Sequence, residues 1–274
     1  MKRFIGPILT LLLIGGLGTG IYFSASEQLS SMNRITVKGL IGSEKKPFFN
    51  DPRVIEVLEK HGLTVETQKA GSREIAPSFD LSGYDFGFPA GIPAAEKLRR
   101  EQSIHKSYSP FFTPMAVASW KRVAEILEAN GVATKKSGFY ELDFAALMKL
   151  IGDRKKWADL DKSDNYAVNK AILVNSTDIR KSNSAAMYLS LASYVANNNS
   201  VVKNDAEVTG VLDFVEGIYL RQGFVEYSSA APFQDYLVMG VGKAPLVMIY
   251  EAQFLYEKAN PQSAIQPEMV LMYP

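Results

Sequence analysis

From Ile35 onward, short apolar runs of strand length alternate with longer stretches whose apolar residues recur every three or four positions. This alternation constrains the chain most. Strand-length runs and helical periods taken in turn build sheets flanked by helices, an α/β fold. Ile35-Thr-Val-Lys-Gly-Leu-Ile41 reads as the first strand, running into the polar loop Gly42-Ser43-Glu44-Lys45-Lys46. Asn50 or Asp51 then caps a helix with Pro52 in its first turn, Val54, Val57 and Leu58 on one face, and Gly62 at its end. Leu63 to Gln68 is the next strand, Tyr84 to Phe88 the third, and Ala94 to Glu101 a helix. An extended aromatic stretch, Ser107 to Val117, leads into a helix from Ser119 to Asn130 with Trp120, Val123, Ile126 and Leu127 inward. Asp143 caps a helix through Ile151, and Ala171 to Val174 reads as a buried strand. Helices follow over Ala185 to Ala196, Val208 to Leu220 and Pro232 to Val238. The chain closes with a strand at Leu246 to Tyr250, a short helix from Ala252 and a strand at Met269 to Tyr273.

The N-terminus addresses the compartment. Lys2 and Arg3 precede an uncharged run from Phe4 to Phe23, which as a helix reaches about 30 Å, enough for a bilayer core. Basic residues ahead of such a run favour the cytoplasmic side, so the rest of the chain is expected in the periplasm or otherwise outside the cytoplasm, anchored to the inner membrane by residues 4–23. A cleaved signal, with Ser24 and Ser26 as a small-x-small site, is the competing reading. Residues 1–26 are therefore a signal or anchor, and residues 27–34 a tether.

Composition removes several chemistries. With no Cys, disulfides, Cys-ligated zinc, iron–sulfur clusters and thiol nucleophiles are excluded. Only His61 and His105 are available for a His-based triad or metal site. The formal charge is +1, which argues against a nucleic-acid binder. No cofactor or metal is expected. Fragments of a serine-acylating enzyme are present, namely Ser43-Glu-Lys-Lys46, Ser163-Asp-Asn165 and Lys136-Ser-Gly138. The last two stand in inverted order, and Pro47 interrupts directly after Lys46. The richest segment for binding is Ser176 to Ser184. Ser182, Asn183 and Ser184 sit where a helix starts, and a helix N-terminus offers free N–H groups to an anion or polar ligand. Plain helix capping is the alternative there.

Four segments together resemble the type II periplasmic solute-binding proteins, the group that includes molybdate and sulfate receptors of ABC transporters. These are Ile35 to Lys46, Tyr84 to Pro89, Ser176 to Leu189, and Gly240-Val-Gly-Lys-Ala-Pro-Leu-Val-Met-Ile-Tyr-Glu251. The resemblance implies two α/β lobes, each a mostly parallel sheet flanked by helices, joined by two crossovers and closing on a solute by hinge motion. Lobe 1 would be residues 35–107 completed by 250–274, and lobe 2 residues 108–249. By position, the resemblance puts Ser43, Glu44, Phe88, Ser109, Ser182, Ser184, Tyr250 and Glu251 at the ligand. It implies a small polar or anionic solute, a membrane permease or sensor as partner, and no covalent chemistry. Two departures stand out. The first loop carries Glu44, Lys45 and Lys46, more charge than an oxyanion receptor has there, and the sequence stops at Met272-Tyr-Pro274, short of the helices that would finish lobe 1. Exposed apolar surface is expected on that lobe. The alternatives are an extracytoplasmic serine hydrolase-like enzyme and a binding module for a cell-envelope protein.

Overall fold

The computed structural model describes residues 34–223 and 225–274. They form an α/β fold with two sheets. The first sheet holds β1 (Ile35–Ile41), β2 (Leu63–Lys69) and β3 (Phe86–Phe88) in the order β2-β1-β3, all parallel. Around it lie α1 (Lys46–Asn50), α2 (Pro52–Lys60), α3 (Ile75–Ser78) and α4 (Ile92–Glu101). Asp51 caps α2 as its position suggests: its carboxylate accepts the backbone N–H of Arg53 at 2.9 Å, and Pro52 fills the first turn, where no N–H is needed. Buried apolar residues here are few. Leu40, Ala70, Ile75 and Leu98 form one small cluster, while Ile35, Ile55 and Val57 stay exposed.

The second sheet holds β4 (Met115–Trp120), β5 (Ala133–Lys135), β6 (Tyr140–Leu142), β7 (Leu246–Tyr250) and β8 (Met269–Tyr273), in the order β5-β6-β8-β4-β7. Its helices are α5 (Lys121–Ala129), α6 (Phe144–Gly152), α7 (Asn183–Ala196), α8 (Asp205–Leu220), α9 (Ala230–Met239) and α10 (Glu251–Ala259). This half contains the main core, with Val117, Leu127, Leu147, Trp157, Ile172, Tyr236 and Met248 among its fully enclosed members. The β7 sequence LVMIY is buried at all five positions, the signature of a strand covered on both faces.

Several expectations are corrected. The second sheet is mixed rather than mostly parallel: β4 runs antiparallel to both β7 and β8, β5 and β6 form an antiparallel hairpin, and the β6–β8 pair is parallel. Residues 250–274 do not complete the first half. Strand β8 sits between β6 and β4 in the second sheet, and Met272 is fully buried there. The apolar run Met269-Val-Leu-Met272 finds a place where both faces are covered, which the thin three-stranded half does not offer. Consequently the described chain passes between the sheets once, through residues 102–114. The helix read from Ser119 starts at Lys121, because the strand ahead of it runs on through Trp120. Ala171 to Val174 is extended and buried in part, but it makes only isolated bridges, Lys156 with Ala171 and Asn175 with Val247. The β5–β6 hairpin was not foreseen. The expected membrane or signal helix lies outside the described residues; among the described residues no helix is long and apolar enough to cross a membrane.

Candidate functional site

A cleft of about 240 Å³, counting its open mouth, lies where the two halves meet. Ser43 and Glu44, just beyond β1, and Gly71 and Ser72, just beyond β2, form one wall. Both loops leave the carboxyl ends of parallel strands, where open α/β sheets bind ligands. The facing wall is made by Ser182 and Asn183 at the start of α7, Tyr227 to Ser229 ahead of α9, and Tyr250 at the end of β7.

The second wall is organised by hydrogen bonds. The Tyr250 phenol oxygen accepts the Asn183 side-chain N–H at 2.9 Å. Thr177, Ser184 and Ser182 form a hydroxyl chain with steps of 3.0 and 2.9 Å. Ser182 is the N-cap of α7, yet its side chain makes no capping bond. The backbone N–H groups of Asn183, Ser184 and Ala185 have no partner among the described residues. All three residues are buried, so these donors face a real cost unless something accepts from them. Burial raises the Tyr250 phenol above its ordinary range, the Glu44 carboxylate adds to this, and the bond from Asn183 opposes it. The phenol therefore stays protonated, with an O–H left to donate.

The halves touch beside the cleft. The Arg73 N–H donates to the Lys181 carbonyl at 3.0 Å, and the Lys181 ammonium reaches Glu74 at 2.9 Å. Gly71 makes this approach possible, because a Cβ there would lie 2.6 Å from the Lys181 carbonyl oxygen. Gly91, at φ 81°, lies against the Asn183 amide in the same way.

Asp178 shapes the turn into α7. Its carboxylate accepts the Arg180 guanidinium, with one contact at 2.6 Å, and the Arg180 backbone N–H at 2.8 Å. The guanidinium bond holds Asp178 below the usual carboxylate range. A depressed carboxyl contributes stability above its unfolded pKa and loses it as pH falls through the folded one. Amide protection across residues 178–186, taken relative to the intrinsic exchange rate at each pH, is therefore expected to stay constant from pH 8 to 5 and to fall below about pH 4. In Asp178→Asn the acid-linked component should vanish; an unchanged acid profile would refute this role.

Of the residues expected at a ligand, Ser43, Glu44, Ser182 and Tyr250 line the cleft. Ser184 lies behind the wall, buried and bonded to Ser182. Phe88 packs instead against Phe111, 6.1 Å between ring centroids, and carries the Lys45 ammonium 4.7 Å from its ring centre. Ser109 is exposed on the connecting segment and off the cleft wall. Glu251 turns to the Tyr273 phenol, whose pKa is pushed up to about 12 by burial and by that bond. Glu251 was positioned by a two-crossover layout, whereas the described chain crosses once and the residue stays with the second sheet. Gly71, Ser72 and Ser229 were missed. The only signals were small residues directly after a strand and a serine pair ahead of a helix.

Lys46, the base that a Ser43 nucleophile would need, donates to the Thr67 hydroxyl at 3.0 Å instead, and Ser43 opens a single short turn rather than a long helix. Among the described residues no three His, Cys, Asp or Glu side chains gather to hold a metal ion. No protein-family model matches the chain, and no curated protein matches it either.

Proposed function

We propose that this protein is a solute-binding protein of the type II periplasmic kind, which holds a small polar solute between its two halves outside the cytoplasm and presents it to a membrane permease or sensor. One observation carries the reading: the start of a fourteen-residue helix, whose first N–H groups have no partner among the described residues, reaches through Asn183 a cleft whose other groups are mostly hydroxyls. Such a cleft recognises oxygen-bearing solutes by hydrogen bonds, and partial exclusion of water strengthens each bond. An intact leader, as a membrane anchor, would keep the protein at the membrane where a permease waits.

A thermal-shift panel of small anions, polyols, amino acids and sugars tests the reading. At a hundredfold excess over Kd, a true ligand adds about 2.7 kcal/mol to stability, on the order of 5 °C or more in melting temperature. Small-angle scattering should show compaction with the same compound. A panel with no stabilising compound would overturn the proposal.

A further inference from the structure

The cleft walls differ in charge, and that difference narrows the solute class. Glu44 is the one cleft-lining residue with a full charge among those described. Its side chain is 12 % exposed and that of Lys45 14 %. Glu44 Oε1 takes the Lys45 ammonium, and Lys45 is held outside the lining by that bond and by the Phe88 ring. Glu44 Oε2 has no hydrogen-bond partner among the described residues. Gly42 lets the carboxylate sit there, since a Cβ at that position would come within 2.4 Å of Glu44 Oε1.

Across the cleft stands the opposite demand. The Asn183 N–H, on the cleft wall at the positive end of the α7 dipole with the unpartnered Ser184 and Ala185 N–H groups behind it, calls for an oxyanion or carbonyl. A second feature points the same way. Ser229 is 3 % exposed, lines the cleft, caps nothing with its side chain, and its hydroxyl has no partner among the described residues. A bare anion would satisfy the helix but leave Glu44 Oε2, which the Lys45 pair through Oε1 does not occupy, without a donor. An amine alone would satisfy Glu44 and leave the buried N–H groups unmet.

We propose that the solute is a small zwitterion, an amino acid or similar aminoalkyl acid, with its acid group on the N-terminus of α7 and Ser229 and its ammonium on Glu44 Oε2. This rests on the solute-binding reading above and narrows it. No bond is made or broken. The two charged ends anchor opposite halves of the protein, so the ligand is also the link that holds the halves together.

The test is a matched set on the full chain: glycine, alanine and serine as zwitterions, glycolate and lactate as the same acids without the amine, ethanolamine as the amine without the acid, and sulfate. Melting temperature and calorimetry are read for each. At least one amino acid should raise the melting temperature by several degrees, with glycolate, lactate and ethanolamine much weaker. Glu44→Gln should raise the Kd for that amino acid about tenfold to a hundredfold, the loss of one charge-assisted bond, and bring glycolate level with it. Lys60→Met, which removes an exposed cation paired with Glu56 on α2 and away from the cleft wall, should leave the amino acid response in place. Stabilisation by sulfate or glycolate, with no response to amino acids, would overturn the zwitterion and leave the solute-binding reading standing. Equal binding by Glu44→Gln would overturn it as well. A flat response to the whole set and to the wider panel would overturn both.

Discussion

Leu147→Ala is expected to lower the melting temperature of the five-stranded half by about 4–20 °C. Leu147 lies in α6 and is fully enclosed, within the same cluster as Met148, Ile151 and Trp157. Removing its side chain loses transfer free energy and leaves a cavity. Such changes cost about 2–5 kcal/mol, and in a unit of this size each kcal/mol shifts melting by about 2–4 °C. Val57→Ala is the control, since Val57 is 54 % exposed and its truncation should stay within about 0.5 kcal/mol. Scanning calorimetry of the two variants checks both values. Equal shifts would mean that the core is not where the packing places it.

Gly71→Ala is expected to separate the halves. The added Cβ would lie 2.6 Å from the Lys181 carbonyl oxygen, a backbone atom fixed by the Arg73 N–H. Backbone does not yield as a side-chain tip does, so the loop beyond β2 and the turn before α7 must move apart. Gly71 is not at a positive φ, so the cost is one of space, and overpacking of this kind costs about 1–3 kcal/mol. Amide exchange should show the Arg73 N–H losing protection while Leu40 and Ile41 in β1 keep theirs. Binding of any solute that spans the cleft should weaken about tenfold or more, since 1.4 kcal/mol is a factor of ten. Unchanged protection at Arg73 would show that the contact does not hold the halves together.

The local grammar of the fold was legible in the sequence because it depends on near neighbours. Asp51 and Asp143 cap their helices, and the apolar faces of α5 and α6 turn inward as their spacing requires. Strand partnership was not legible. Met269-Val-Leu-Met272 is apolar enough to be a buried strand anywhere, and nothing local says which sheet receives it. The β5–β6 hairpin was too short, at three residues each side, to show a period. The site followed the same division. Ser43, Glu44, Ser182 and Tyr250, which the family resemblance put at a ligand, sit at the ends of recognisable elements and line the cleft. Gly71 and Ser229 matter because of what stands opposite them, and this emerges only from the tertiary arrangement.

The single passage between the sheets has a mechanical consequence. Two antiparallel straps restrict paired bodies to opening about one axis, like a door on two hinges. Residues 102–114 form one strap, exposed as far as Phe112, and near its C-terminal end Phe111 ties it to Phe48 and Phe88 of the first half while the Pro114 carbonyl ties it to the Glu251 N–H of the second. A single strap permits swivel as well as opening. Any solute that bridged the cleft would then have to freeze that twist, at an entropic cost to its affinity. The Arg73–Lys181 and Glu74–Lys181 contacts resist that rotation, so they serve as a torsional stop between the halves.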